Sequence, residues 1–354
     1  MQRRGGAAGG RGKGGERTIV TLEDVARAAG VHYSTVSRAL DPDRAARVNA
    51  ATRKQVEAVA RRMGYRRDMV ASGLKRGRTH TVAVVVADLS NPFIAPVLRG
   101  IANGLESAGL MSLIGETQDD PARLARMLEH LLSRRVDAII LTSARLGDRP
   151  ILRRLIRQGI PLVLAVRNVP GIRLPACTND EALGGRLAAN HLLGLGHRRL
   201  AQLRGPSDIY SILARTEGFS KAVAAAGAVE VNAPHATEAV PSVDEGARLM
   251  SRLIDSKRPL PTAVFAHNDL LAIGALASLK ERGLRCPEDI SLIGYHDLPQ
   301  VDRITPPLTT VREPKEELGR LAAEMTIAVL DGQARPQRQR LPPALIVRES
   351  TAPR

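Results

Sequence analysis

Apolar positions recur along this chain with two different periods, and the period changes near residue 80. In "TLEDVARAAG" Leu22, Val25, Ala26 and Ala29 fall three and four apart, the spacing that lines one face of a helix. Thr21 ahead of the run and Asp24 three residues on form a capping-box pattern, and Gly30 supplies the stop. After a tight turn, a short helix over residues 32–40 turns Val36, Ala39 and Leu40 to a core and leaves Tyr33, Ser34, Ser37 and Arg38 outside; Asp41-Pro42 ends it. A third helix is predicted in "NAATRKQVEAVARRMGY", capped by Asn49, apolar at Val56, Val59, Ala60 and Met63, and closed by Gly64. Three short helices joined this way predict a helix-turn-helix module.

Beyond residue 80 continuous apolar runs take over. "TVAVVVAD", "MSLIGET", "VDAIILTS" and "PLVLAVRN" form one series; "RLAQLRGP", "TAVFAHND" and "ISLIGYHD" form a second. Each run is followed by a helical pattern, so the strands are parallel and covered on both faces. Two series predict two doubly wound lobes, and ligands of such sheets bind outside the carboxyl ends of the strands. A cleft between the lobes is therefore the expected ligand site. Between module and lobes, "RRDMVASGLKRGRTH" has basic ends and only about two turns of helical pattern, marginal for a free helix. With Gly73 in its middle it reads as a hinge that stays disordered until something orders it.

Charge sharpens the first of these readings. Residues 1–80 hold 18 Lys and Arg against 7 Asp and Glu, so +11 of the net +16 lies there. A basic head on a nearly neutral body suits a polyanion partner. In a helix-turn-helix the second helix enters the major groove, which gives the polar face of residues 32–40 a use. Arg38 can pair with guanine O6 and N7, a contact worth about 1–3 kcal/mol of discrimination. Arg53, Lys54, Arg61, Arg62 and the N–H groups of helix starts suit phosphates. The Gly- and Arg-rich residues 1–18 read as a disordered basic tail.

Other classes fit less well. The 354 residues include no Trp and no 18-residue apolar run, so a membrane span is not expected. The basic N-terminus has no apolar stretch of the kind a secretory signal carries. Cys177 and Cys286 form no CxxC pair and fit reduced thiols in a cytoplasmic, nucleoid-associated protein. No GxSxG, HExxH or GxxxxGK[ST] pattern occurs, and the histidines lack metal-ligand spacing, so no enzyme, cofactor or metal is expected. A transport-type solute-binding protein would share the lobes but needs an export signal and no basic module.

The sequence also resembles a known family. "TLEDVARAAGVHYSTVSRALD" is similar to the start of the lac/galactose repressor (LacI/GalR) family of bacterial transcription regulators. "RVNAATRKQVEAVARRMGYRRD", "NPFIAPVLRGI", "RRVDAIILTS", "HLLGLGHRRLAQLRGP", "PTAVFAHNDLLAIGALASLKERGLRCPEDISLIGYHD", "TPPLTTVREP" and "LPPALIVREST" follow family blocks in order, over residues 20–351. The resemblance implies a periplasmic-binding-protein-like core, a near-palindromic double-stranded operator and a homodimer. It implies a helix-turn-helix domain at 19–66, a hinge at 67–79 and a core at 80–354. One lobe would span about 80–178 and 312–341, the other about 179–311 and 342–354. A repressor controlled by a sugar or sugar acid is expected, with a corepressor-dependent or activating member answering a non-sugar ligand as the alternative.

Carried over residue by residue, Tyr33, Ser34 and Arg38 would read bases, and Thr35 and Ser37 would contact backbone or bond internally. Thr21, His32, Asn49, Thr52, Arg53 and Lys75 would complete the DNA contacts, with Leu74 wedged into the minor groove or packed on a lobe. His32 stands where the family usually has a capping Ser, and Asp68 where it has Asn; Ser72-Gly73 is more flexible than the usual pair. For the effector, Phe93, Arg215, Asn268 and His296 match positions that commonly touch the small molecule, and Asp180 and Asp269 match aspartates near them. Asp269 is equally suited to capping the next helix, and His296 to a core. "GYHD" puts His296 where the family has a sugar-gripping Asp, and Pro241 stands near the usual stacking aromatic. One carboxylate fewer, beside Arg215, makes an anionic sugar acid a rival to a neutral sugar. A dimer is expected because no leucine-heptad tail follows "IVRESTAPR".

Overall fold

The computed structural model describes residues 20–41, 44–65, 78–231, 241–256, 259–333 and 337–354. The predicted tail, the hinge residues 67–77 with Asp68, Ser72 and Gly73, and the candidate contacts Leu74 and Lys75 lie outside the described residues. The chain divides into two units, Met1–Thr79 and His80–Arg354.

In the first unit α1 (Leu22–Ala29), α2 (Tyr33–Ala39) and α3 (Ala50–Met63) enclose a small core. Val25, Ala26, Ala29, Val36, Ala39, Val56, Val59 and Ala60 fill it, all positions that the helical period selects. Thr21 and Asp24 make the reciprocal capping box, and Gly30 and Gly64 end α1 and α3 in the left-handed conformation. His32 caps α2 through Nδ1, which accepts from the Ser34 N–H at 3.3 Å. A ring nitrogen thus does the work of the usual hydroxyl.

The second unit holds two six-stranded sheets. Its first segment runs β1 (Thr81–Val86), α4 (Ile94–Ser107), β2 (Met111–Glu116), α5 (Pro121–Ser133), β3 (Ala138–Leu141), α6 (Arg149–Arg157), β4 (Leu162–Ala165) and β5 (Ala176–Asn179). The chain then crosses into α7 (Glu181–Gly194), β6 (Arg199–Leu203), α8 (Tyr210–Ala225), β7 (Val229–Val231), α9 (Val243–Ile254), β8 (Ala263–Ala266), α10 (Asp269–Glu281), β9 (Ser291–His296) and β10 (Thr309–Arg312). It crosses back for α11 (Lys315–Leu330) and β11 (Arg338–Leu341), and a third time for β12 (Ala344–Ile346). The sheet orders are β11-β5-β4-β3-β1-β2 and β12-β10-β9-β8-β6-β7. Among the described residues every pairing is parallel except β10 with β12. Parallel strands need helices on both faces, and the fully buried Val82–Val86 run is what that burial requires.

Helix pairs meet more closely than the apolar pattern suggested. A Cβ on Gly100 of α4 would stand 2.1 Å from the Glu316 carbonyl oxygen, and one on Gly319 of α11 would stand 2.1 Å from that of Val97. Gly185 and Gly218 do the same for α7 and α8, and Gly246 and Gly274 for α9 and α10. Each crossing uses one glycine from each helix, so backbone lies on backbone.

Candidate functional site

The face of α2 turned away from its core carries the first site. His32, Tyr33, Ser37 and Arg38 are exposed, and Ser34 and Thr35 are half-buried. Tyr33, at 53% exposure, is a large ring that burial would normally claim. It packs against the His32 ring, 4.6 Å between centroids. The Ser34 hydroxyl lies 2.8 Å from the same Nδ1 that caps the helix, so it is engaged in the free protein. Thr21 and Asn49 are exposed caps at the starts of α1 and α3, and Thr52 and Arg53 are half-buried on α3. Arg53 also reaches Glu57 at 3.7 Å, an exposed contact of small energy.

The second site is the cleft between the two lobes of the second unit, a cavity of about 100 Å³. Phe93, Arg215, Asn268 and His296 line it, as does Pro241. Asp180 and Asp269 are not among the lining residues. Asp180 caps α7 through the Leu183 N–H, and Asp269 is buried under β9 and β10, accepting from Thr310 Oγ1 at 2.6 Å and the Leu298 N–H at 2.7 Å. Of the two roles open to Asp269, the structural one is the one observed, though toward a loop and a strand rather than its own helix.

Nor is the cleft short of carboxylates: Asp88, Asp119, Glu181 and Glu313 line it. Asp119 holds Arg167 through two bonds of 2.5 and 3.0 Å. Glu181 Oε2 accepts from Arg215 Nε at 3.0 Å and Nη2 at 2.6 Å, while Nη1 donates to the His267 carbonyl. The Arg215 guanidinium also lies 3.4 Å over the Tyr295 ring. Burial favours a neutral Glu181 and Arg215 opposes it; the two bonds and the ring face keep the pair ionised. Arg215 is thus less a free cation awaiting an anion than one half of a buried ion pair.

His296 is paired too. Its Nδ1 lies 2.5 Å from Glu313 Oε2, and Asn179 Nδ2 donates to Glu313 Oε1 at 2.7 Å. Burial pushes the Glu313 carboxyl up to about 7, and burial with Arg215 holds the imidazole well below its ordinary range. Imidazole and carboxyl then share one proton rather than separate it. Phe93 packs against the imidazole ring, 4.4 Å between centroids. Asn268 Oδ1 caps α10 through the Leu271 N–H at 2.7 Å, which leaves its amide N–H as its donor for a ligand.

Backbone geometry marks the same place. Asp119, Val166 and His296, all lining residues, have φ of 55°, 66° and 103°. Such conformations cost energy in L residues, most for β-branched Val, and they cluster at ligand sites. Across the cleft, Arg145 of the first lobe clasps Asp208 of the second with bonds of 2.6 and 2.7 Å.

Glu181, Glu313, His267 and the Asp119–Arg167 pair were not expected from sequence. A positional signal existed for two of them: His267 and Glu313 are the first residues after β8 and β10. Glu181 opens α7 just after the first crossing, where an acidic residue reads as an ordinary helix start.

Comparison with known proteins places the two units in known families. Residues 21–68 match the family described as bacterial regulatory proteins, lacI family, and residues 189–351 match a periplasmic binding protein-like domain. The chain is 33% identical over 339 residues to the HTH-type transcriptional repressor CytR of Escherichia coli (strain K12), covering 95% of this chain and 97% of that one. The crystal structure of the lac repressor dimer bound to operator and the anti-inducer ONPF matches with a TM-score of 0.85 at 27% identity, over 95% of this chain and 100% of that one. The transcriptional regulator CelR–cellobiose complex matches with a TM-score of 0.71 at 32% identity, over 94% and 99%.

Proposed function

Because the chain belongs to the lacI family of bacterial regulatory proteins, we propose that it holds a near-palindromic operator as a homodimer and that a small polar effector in the interlobe cleft controls that hold. It is a DNA-binding transcriptional repressor of that family, not an enzyme. The observation that carries the operator reading is α2, whose apolar side is spent on the core while Tyr33, Ser37 and Arg38 stay outside. Tyr33, Ser34 and Arg38 read base edges; Thr35 and Ser37 contact the backbone; His32, Thr21, Asn49, Thr52 and Arg53 meet phosphates. Dimer formation is supported by the operator-bound lac repressor dimer and by Met111, Leu113 and Ile114, exposed apolar residues on the sheet-edge strand β2.

For the effector, Phe93, Arg215, Asn268 and His296 are the contacts within the cleft. Both lining guanidiniums are already bonded to carboxylates, which supports a neutral sugar over a sugar acid, as does the CelR–cellobiose complex. A ligand that fits one interlobe angle better than another shifts that equilibrium, and linkage carries the shift to operator affinity.

The test begins with selection of an operator from random duplexes by the full chain. Arg38→Ala should then cost about 1–3 kcal/mol of preference for that operator, while low-salt binding to unrelated DNA persists. An unchanged preference would remove Arg38, and with it the proposed use of α2.

A further inference from the structure

His267 lines the cleft, is 1% exposed, and stands on the first residue after β8. A chain of hydrogen bonds fixes which of its nitrogens carries the proton. Glu230, on β7, accepts from Gln202 Nε2 at 2.7 Å, and the Ser220 hydroxyl lies 3.0 Å from the same nitrogen. A carboxylate only accepts, so the nitrogen end of the Gln202 amide must face Glu230, and its oxygen must face His267. Gln202 Oε1 lies 2.9 Å from His267 Nε2, which therefore donates. In a neutral imidazole the other nitrogen then holds a lone pair. That nitrogen, Nδ1, is buried and has no hydrogen-bond partner among the described residues.

The ring stays neutral for a physical reason. Burial, with Arg215, Arg204 and His296 around it, holds its pKa well below the ordinary histidine value. A buried acceptor left unmet is a cost that folded proteins rarely carry without a use.

Building on the reading of the cleft as the effector site, we propose that His267 is a specificity-determining residue whose Nδ1 accepts a hydrogen bond from a neutral donor on the effector, a hydroxyl or an N–H. Glu230 and Gln202 are positioning residues that fix the tautomer. A carboxylate brought to the same spot has only lone pairs to offer and is refused. The effector is thus a neutral, donor-bearing molecule of the sugar type, and its acid counterpart is discriminated against.

Two measurements on the full chain test this. With ¹⁵N-labelled histidine, the His267 signal, assigned by its loss in His267→Phe, should show Nδ1 as the unprotonated, pyridine-type nitrogen; a protonated Nδ1 overturns the proposal. Calorimetry with aldoses, each paired with its aldonic and uronic acid, should show the neutral member binding about tenfold or more tightly. His267→Phe should remove that binding by a similar factor, and His267→Asn, which keeps an acceptor near the Nδ1 position, should retain part of it. Tighter binding of an acid, abolished by Phe93→Ala, overturns the ligand class and leaves the cleft standing. Neutral binding lost in Phe93→Ala but unchanged in His267→Phe overturns the role of His267 alone. Binding that survives both variants overturns the cleft reading itself, and failure of every aldose to bind overturns the ligand class.

Discussion

Asp269 illustrates how one buried side chain makes stability depend on pH. Burial pushes its carboxyl from 3.8 up to about 7, with the Thr310 and Leu298 bonds opposing that rise. The folded state keeps this proton after the unfolded chain has released it. Its share of stability is therefore full below the unfolded value and is lost as pH rises from about 4 through about 7. Asp269→Asn cannot ionise and escapes that loss. Its melting temperature should fall furthest below that of the natural chain at pH 5, with the gap narrowing toward pH 8; a gap constant with pH would mean Asp269 ionises normally. Sequence gave Asp269 two roles and could not choose, because the choice depends on Thr310 and Leu298, which the fold brings in from 41 and 29 residues away. The same holds for Arg215: the residue was legible from the family resemblance, but its commitment to Glu181, 34 residues earlier, was not. The cleft residues that could have been found by rule are those placed first after a strand.

Elements were legible in proportion to how much of their signal is local. The runs that became β1, β3, β4, β8 and β9 are buried along nearly their whole length, so their composition announces them. β11 reads "RQRL" and is mostly exposed, and β12 is three residues long; each is a strand because a neighbouring edge accepts it. The glycine crossings were invisible for a related reason, since a glycine inside a helical pattern reads only as a weak point. Here it is a contact. A Cβ on Gly274 would lie 1.9 Å from the Val243 carbonyl oxygen, so α9 and α10 would have to separate. Gly274→Ala, which ordinary helix propensity predicts to stabilise, should instead cost about 1–3 kcal/mol or more by overpacking. Chemical denaturation would read this as a lower midpoint at unchanged slope; a raised midpoint would mean the crossing can yield.

At the scale of the molecule the two units divide the labour by charge and by cleft. The proposed assembly makes a separate prediction. Met111 and Ile114 are 64% and 46% exposed on an edge strand, where apolar side chains invite a second copy. Ile114→Asp should shift sedimentation from dimer toward monomer and weaken binding to a two-half-site operator more than to a half-site. An unaltered dimer would move the interface elsewhere. The Arg145–Asp208 clasp joins the two lobes directly, so Arg145→Ala should weaken the tie between them and change the affinity of the proposed effector without changing the stability of either lobe's core, as followed by hydrogen exchange.

The interlocked helix pairs set the mechanics within which such a clasp acts. α4 and α11 come from chain segments on either side of the second lobe, and they mesh tooth to tooth through Gly100 and Gly319. Backbones in that contact have no soft side-chain layer in which to slide, so there is no slip plane between α4 and α11. A strain applied at the cleft is then not relieved by sliding of α4 over α11. On the proposed reading the strain passes instead to the short crossings between the lobes, beside two of which Glu181 and Glu313 stand. A small displacement around the proposed effector would then reach the far edge of the lobe as a rotation, the motion that the proposed linkage needs.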